Sequence, residues 1–210
     1  MKSLIIIGAR GLGRKVYDLA KSNSEFSKEF VIKGFLDDQP SKIEDYKNYP
    51  NVISSVENYT VNKNDVFVCA LANTSKKKYY SKIIIDKGGK FINIISDKCI
   101  INSNVCLGSE GIIIFENSII SADSSIDNFV TIQPNVVIGH DTMIEKNCHI
   151  NCFVFTGGSS KICSDVTLHT RSTILPGITI GSNTIVGACS LVNKNILGNC
   201  TVVGTPAKII

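Results

Sequence analysis

With 210 residues, 43% of them hydrophobic and 19% charged, the chain can bury the core of one large domain or two small ones and reads as soluble and globular. Its formal charge of +4 is mild and dispersed: residues 1–97 hold 16 Lys and Arg against 11 Asp and Glu, and residues 98–210 hold 6 against 7. Lys76-Lys77-Lys78 is the only basic run, which suits a solvated helix face better than a nucleic-acid-binding patch.

The first apolar run, Leu4-Ile5-Ile6-Ile7, is far too short for the core of a signal peptide or a membrane span, and no later run is long enough either. The expected location is the cytoplasm, with no membrane insertion, and in that reducing compartment the eight cysteines read as free thiols rather than disulfides. Leu4 to Ile7 predicts a short buried strand, Gly8-Ala9-Arg10-Gly11-Leu12-Gly13 a glycine turn, and Arg14 to Ser22 a helix with apolar Val16, Leu19 and Ala20. Val31 to Leu36 predicts a second strand, ending at Asp37-Asp38. Val66 to Leu71 predicts a third, followed by a helix running through Tyr79 to Lys87. Alternating strands and helices imply a small parallel, Rossmann-like α/β sheet over residues 1–94.

A glycine turn between a first strand and its helix lets backbone approach a phosphate, with the helix N-terminus supplying N–H donors and a favourable dipole. The spacing is G-x-x-G-x-G, not the dinucleotide G-x-G-x-x-G, and a tight strand-to-helix turn without any ligand explains it as well. Asp37 lies 24 residues after Gly13 at the end of the second strand, where an acidic residue commonly accepts hydrogen bonds from ribose hydroxyls. This half is too small for a complete two-lobed NAD fold, and no separate half for hydride transfer follows. The expected ligand is a mononucleotide or a nucleotide sugar.

From Ile114 onward every sixth residue is Ile114, Ile120, Ile126, Ile132, Ile138, Ile144, Ile150, Thr156, Ile162, Leu168, Ile174, Ile180, Val186 and Val192. Four residues after each comes a second series, from Ser118 and Ser124 through Val130, Val136, Thr142 and Cys148 to Ser190, whose members are small or β-branched. A period of six fits neither a helix nor hairpin-linked strands; it suits a solenoid whose short strands turn a corner every six residues. Ile95, Ile101 and Leu107 continue the period one residue out of phase, which predicts a one-residue slip between Gly108 and Ile114 and a start near residue 95.

This regularity resembles the hexapeptide-repeat acyltransferases. The resemblance implies a left-handed parallel β-helix over residues 95–210, with three hexads to a coil, about five coils, and Gly204-Thr205-Pro206-Ala207-Lys208 closing the end. The whole chain resembles the bacterial sugar acetyltransferases that join an N-terminal α/β nucleotide-sugar domain to such a β-helix. Members of that family acetylate UDP- or dTDP-linked 4-amino-4,6-dideoxy sugars, and close relatives O-acetylate sialic acid. The resemblance implies acetyl-CoA as cosubstrate, no metal, and a homotrimer with sites between adjacent β-helices. It also implies that Arg10, Gly11, Leu12, Asp37, Asp38, Ala72 and Asn73 face the sugar nucleotide, although Ala72 stands where the family has glycine.

Val137 to Ile150 holds two of the three histidines, His140 and His149, nine residues apart, with Asp141 directly after the first. Cys148, His149, Cys152 and Cys163 could be enumerated as zinc ligands, but the hexad register puts Cys148 on the inward small series and Cys152 and Cys163 at different outward positions. His140 falls third in its hexad and His149 last in the next, so both are expected to project outward near a corner. Two surface histidines on a coil are the plain alternative. Acyl transfer from a thioester needs a proton removed from the nucleophile, and imidazole suits that task, so His140 is the candidate base. Asp141 could orient the ring, provided a corner turns the two adjacent side chains together. By resemblance, His149 contacts acetyl-CoA, Gly158 donates an N–H to the thioester oxygen, and Thr170 and Ala188 line the CoA channel; His169 replaces a usual glycine.

The leading expectation is an acetyl-CoA-dependent N-acetyltransferase acting on a nucleotide-linked 4-amino-4,6-dideoxy sugar by direct attack, since no Ser or Cys stands in a recognisable nucleophile setting. The alternatives are O-acetylation of sialic acid or another sugar, and a non-catalytic β-helix that binds a sugar nucleotide.

Overall fold

In the computed structural model, which describes residues 1–39 and 46–210, the aliphatic run after Met1 forms β1 (Lys2–Ile7), the centre of a parallel sheet. The other elements of this unit, Met1–Ser96, are α1 (Gly11–Ser22), β2 (Phe30–Leu36), β3 (Val52–Ser54), β4 (Asp65–Cys69), α2 (Thr74–Asp86) and β5 (Lys90–Phe91). The strand order is β3-β2-β1-β4-β5. Leu4 to Ile7 and all of β4 are buried, as expected for central parallel strands that read as unbroken apolar runs. Strands β3 and β5 escaped the sequence reading because each is a two- or three-residue edge strand with no period to detect.

Helix α1 starts at Gly11, three residues before the expected Arg14, so half of the glycine turn is helical. Gly13 is required by packing: a Cβ there would lie 1.9 Å from the Gly8 carbonyl oxygen. Gly8 itself has φ +96°, a conformation that side-chain-bearing residues rarely adopt. At the amino end of β4 the buried Asp65 accepts hydrogen bonds from Tyr59 Oη (2.6 Å), Lys33 Nζ (3.0 Å) and the Asn62 N–H (2.9 Å). Burial pushes this carboxyl up, but the donors together outweigh it and hold it below the usual carboxylate value.

In the second unit, Asp97–Ile210, two-residue strands recur every six residues and stack in parallel on strands 18 residues later, Val137-Ile138 on Phe155-Thr156 for example. Three sheets result, with six strands on one face and five on another. The inward series is buried throughout from Ile114 to Val192. Below it the pairing is Ile120 with Ile101 and Ile126 with Leu107, a separation of 19 residues, so the expected slip lies between Leu107 and Ile113. Ile101 is 39% exposed because an end rung has no further rung to cover it.

The small series has a second reason beyond space. Ser118, Ser124, Thr142 and Ser160 each donate a hydroxyl to a carbonyl 15 residues on, at 2.9–3.2 Å, tying one coil to the next. At each corner one residue takes a left-handed conformation, among them Asn117, Asp123, Asn135, Asp141 and Asn147. The end is closed by Thr201–Gly204, parallel to Ile185-Val186, and by Ala207–Ile209, antiparallel to Thr201–Gly204, a pair that extends beyond the expected segment 204–208 on both sides. All eight cysteines are free.

Candidate functional site

The strand order reverses beside β1, between its carboxyl end and that of β4, and in open parallel sheets ligands bind at such a switch point. A cavity of about 340 Å³ opens there, lined by Gly8, Arg10, Leu12, Asp37, Asp38 and the start of α2. It gathers every candidate of this half except Gly11, which is the first residue of α1, at the helix N-terminus that opens beside Arg10, where a Cβ would meet nothing within 4 Å. Ala72 and Asn73 both line it. The N-terminus of α1 has neither a side-chain cap nor an acidic residue in its first turn, whereas the Asn73 side chain caps α2 by accepting the Lys76 N–H at 2.9 Å. An uncapped N-terminus next to Arg10 suits an anionic group.

Three lining residues with polar or charged side chains were missed from sequence: Gln39, Lys76 and Tyr80. Asn73, Lys76 and Tyr80 lie three and four residues apart, one face of α2, and that spacing was legible once the cavity pointed to it. Gln39 accepts from the Arg10 guanidinium. Tyr80 donates its hydroxyl to Asp38 Oδ2. That bond, with partial burial, pushes the phenol up to about 12, so it stays a donor at neutral pH.

In the β-helix, His140 and Asp141 occupy one corner, both exposed. Asp141 has φ +54°, and this left-handed step turns the two adjacent side chains together, with His140 Nδ1 2.7 Å from Asp141 Oδ2. The ring's other edge lies over Gly158, one coil on: a Cβ at 158 would be 2.5 Å from Nε2 and 2.6 Å from Cε1. Glycine at 158 is therefore the residue that leaves room for the imidazole. The coils are held close here, with Ser159 N–H donating to the His140 carbonyl at 2.8 Å and Gly139 N–H to the Thr156 carbonyl at 2.9 Å.

The other candidates do not share that corner. His149 was expected to project at a corner, but it is 1% exposed, stacked on the flat of a face between Thr131 and Thr167. Thr170 and Ala188 are exposed and lie 18 residues apart on the corner that follows Cys152, with Thr170 Oγ1 bonded to the Cys152 carbonyl at 2.8 Å. His169 is exposed beside them. Among the described residues no three His, Cys, Asp or Glu side chains gather in a metal-binding group, and no helix is long and apolar enough to cross a membrane.

Residues 3–84 match the family model of the PglD N-terminal domain, and residues 159–194 match that of the bacterial transferase hexapeptide repeat. The fold is similar to that of a histidine-to-asparagine mutant of perosamine N-acetyltransferase from Caulobacter crescentus, solved in complex with CoA and GDP-perosamine, at a TM-score of 0.89 and 22% identity over 100% of this chain and 97% of that one. It is also similar to the acetyltransferase domain of PglB from Neisseria gonorrhoeae in complex with acetyl coenzyme A, at a TM-score of 0.88 and 23% identity over 100% and 99%. Among curated proteins, galactoside O-acetyltransferase of Escherichia coli is 36% identical over 91 residues, 41% of this chain and 42% of that protein. Serine acetyltransferase of Buchnera aphidicola is 37% identical over 84 residues, 36% and 31% of the two chains. The chain thus spans less than half the length of these curated relatives, whereas the structural likeness establishes the fold over its full length.

Proposed function

We propose that this chain, a PglD-type N-terminal domain followed by a hexapeptide-repeat β-helix, is an acetyl-CoA-dependent N-acetyltransferase acting on a nucleotide-linked 4-amino-4,6-dideoxy sugar. The observation that carries the reading is the His140–Asp141 pair, with Nδ1 engaged by the carboxylate and Nε2 over Gly158 at an exposed corner. An Nδ1–H donated to Asp141 leaves the lone pair on Nε2, the tautomer a general base needs.

His140 Nε2 accepts a proton from the sugar amine as its nitrogen attacks the thioester carbonyl. The C–N bond forms, the C–S bond breaks, and the imidazolium returns the proton to the leaving thiolate, giving an amide and free CoA. Asp141 steadies the imidazolium in between. The Gly158 N–H is assigned to the oxygen that gains charge on attack. Direct transfer is the reading supported by the setting of His140, whose ring is hydrogen-bonded to Asp141 and, among the described residues, to no Ser or Cys that could serve as a nucleophile.

The cavity beside α1 is assigned to the nucleotide, its Arg10 and uncapped helix end to the diphosphate. Thr170 and Ala188 are assigned to the CoA channel, and they stand on a different corner from His140. A homotrimer in which one subunit's His140 corner meets a neighbour's CoA corner completes such a site. The face leading into the His140 corner supports this arrangement, with an outward row of Ile119, Val137, Phe155, Thr173 and Leu191 in which Phe155 is 43% exposed. The acceptor is tested by incubating the protein with acetyl-CoA and UDP-, dTDP- or GDP-linked 4-amino-4,6-dideoxy sugars, free sialic acid or CMP-sialic acid, and following thiol release. Turnover confined to the sialic acids overturns the amine acceptor; no thiol release with any of them overturns the transferase.

A further inference from the structure

The two acids that end β2 have unlike surroundings. Asp37 Oδ2 accepts the Ala9 N–H at 2.8 Å and Oδ1 accepts the Gln39 N–H at 2.9 Å, so each oxygen is taken by backbone. Ala9 sits in the glycine turn, between Gly8 and the Arg10 that precedes α1. Gly8 adds a third tie, its N–H donating to the Leu36 carbonyl at 2.7 Å. The carboxylate of Asp37 therefore staples the turn to the end of the neighbouring strand. Asp38 differs: its Oδ2 accepts from Tyr80 of α2, no hydrogen bond among the described residues engages its Oδ1, and the residue lines the same cavity.

From this geometry we infer a division of labour in which Asp37 is a positioning residue that sets the anion-binding turn, while Asp38, oriented by Tyr80, is the acid that meets the nucleoside. The inference rests on the nucleotide reading of this cavity. A carboxylate whose two oxygens accept backbone N–H groups has its best acceptor directions used, and swinging it toward a ribose would strand two amides. The open oxygen of Asp38 needs a donor on the ligand, either a hydroxyl or a ring N–H. Tyr80 then becomes a specificity-determining residue, because its hydroxyl fixes which oxygen of Asp38 remains open.

The test compares Asp37→Asn, Asp38→Asn and Tyr80→Phe in the full chain by amide hydrogen exchange without ligand and by calorimetry with pyrophosphate, UDP and GDP. Asp37→Asn turns an NH2 toward a backbone N–H. It is expected to speed exchange at Ala9 or Gln39 by on the order of tenfold or more and to weaken pyrophosphate as much as the nucleotides. Asp38→Asn and Tyr80→Phe are expected to leave exchange at Ala9 and Gln39 and pyrophosphate affinity unchanged, while weakening whichever nucleotide binds wild type by about tenfold. If Asp37→Asn keeps wild-type exchange and pyrophosphate affinity but loses nucleotide affinity, Asp37 is a ligand acceptor and the inference fails. Failure of wild type to bind either nucleotide overturns the nucleotide reading and the role of Asp38, while the exchange measurement still decides Asp37.

Discussion

His140 and Asp141 are sequence neighbours whose side chains meet at 2.7 Å because Asp141 adopts φ +54°. Adjacent residues of a strand point to opposite faces, so only the corner of the coil permits this pairing. Replacing His140 by Ala is expected to lower kcat by about 10²–10⁴ with an unchanged melting temperature, the usual range for loss of a general base. Steady-state kinetics on the best acceptor, with circular dichroism as the folding control, checks it. Turnover near wild type would remove His140 from the mechanism.

Gly158 faces the imidazole, and its own backbone is not in the left-handed region. Gly158→Ala should therefore fold, since the atoms its Cβ meets belong to a movable ring, but should push Nε2 off its position and lower kcat by more than tenfold. Gly139→Ala provides the contrast. Its Cβ would sit 2.5 Å from the Gly158 nitrogen and 2.7 Å from the Thr156 carbonyl oxygen, backbone on which the coil stacking depends. A stability loss of about 1–3 kcal/mol in urea is expected for Gly139→Ala and less than half of that for Gly158→Ala.

The outward row Ile119, Val137, Phe155 and Leu191 is assigned to the contact between subunits. Phe155→Glu places a charge in that row and is expected to shift light scattering from a trimer toward the 22.8 kDa chain, with loss of activity. A wild-type protein that is monomeric and fully active would overturn the trimeric site.

The Tyr59–Asp65 bond makes a pH-dependent contribution to stability. Asp65 is held below its usual value in the folded protein, so the contribution is complete above the unfolded carboxylate pKa of about 3.9 and is lost as pH falls through the folded value. Tyr59→Phe removes the 2.6 Å donor and should cost about 1–3 kcal/mol at pH 7 and much less at pH 2. Urea unfolding at the two pH values measures the difference, and an equal loss at both would show that Asp65 titration is not involved.

Much of this molecule was legible in its sequence because solenoids and parallel sheets are one-dimensional in their demands. The aliphatic residue at every sixth position from Ile114 to Val192 must be buried by the rung above and below, so the register, the small corner series and even the one-residue slip before Ile113 follow from spacing. The strands β1, β2 and β4 were equally plain, since central parallel strands are apolar on both faces. Tertiary structure decided what spacing leaves open: which side chains a turn brings together and which it covers. The left-handed step at Asp141 joins it to His140, whereas His149, equally polar in sequence, lies buried on a flat face. Asp37 and Asp38 are chemically identical neighbours, and only the approach of Ala9 to one and of Tyr80 to the other separates the staple of a turn from an acid facing the cavity. Local sequence fixes the path of a backbone by steric and burial rules acting over a few residues. The roles of polar side chains depend on partners that the fold brings from 28 or 42 positions away.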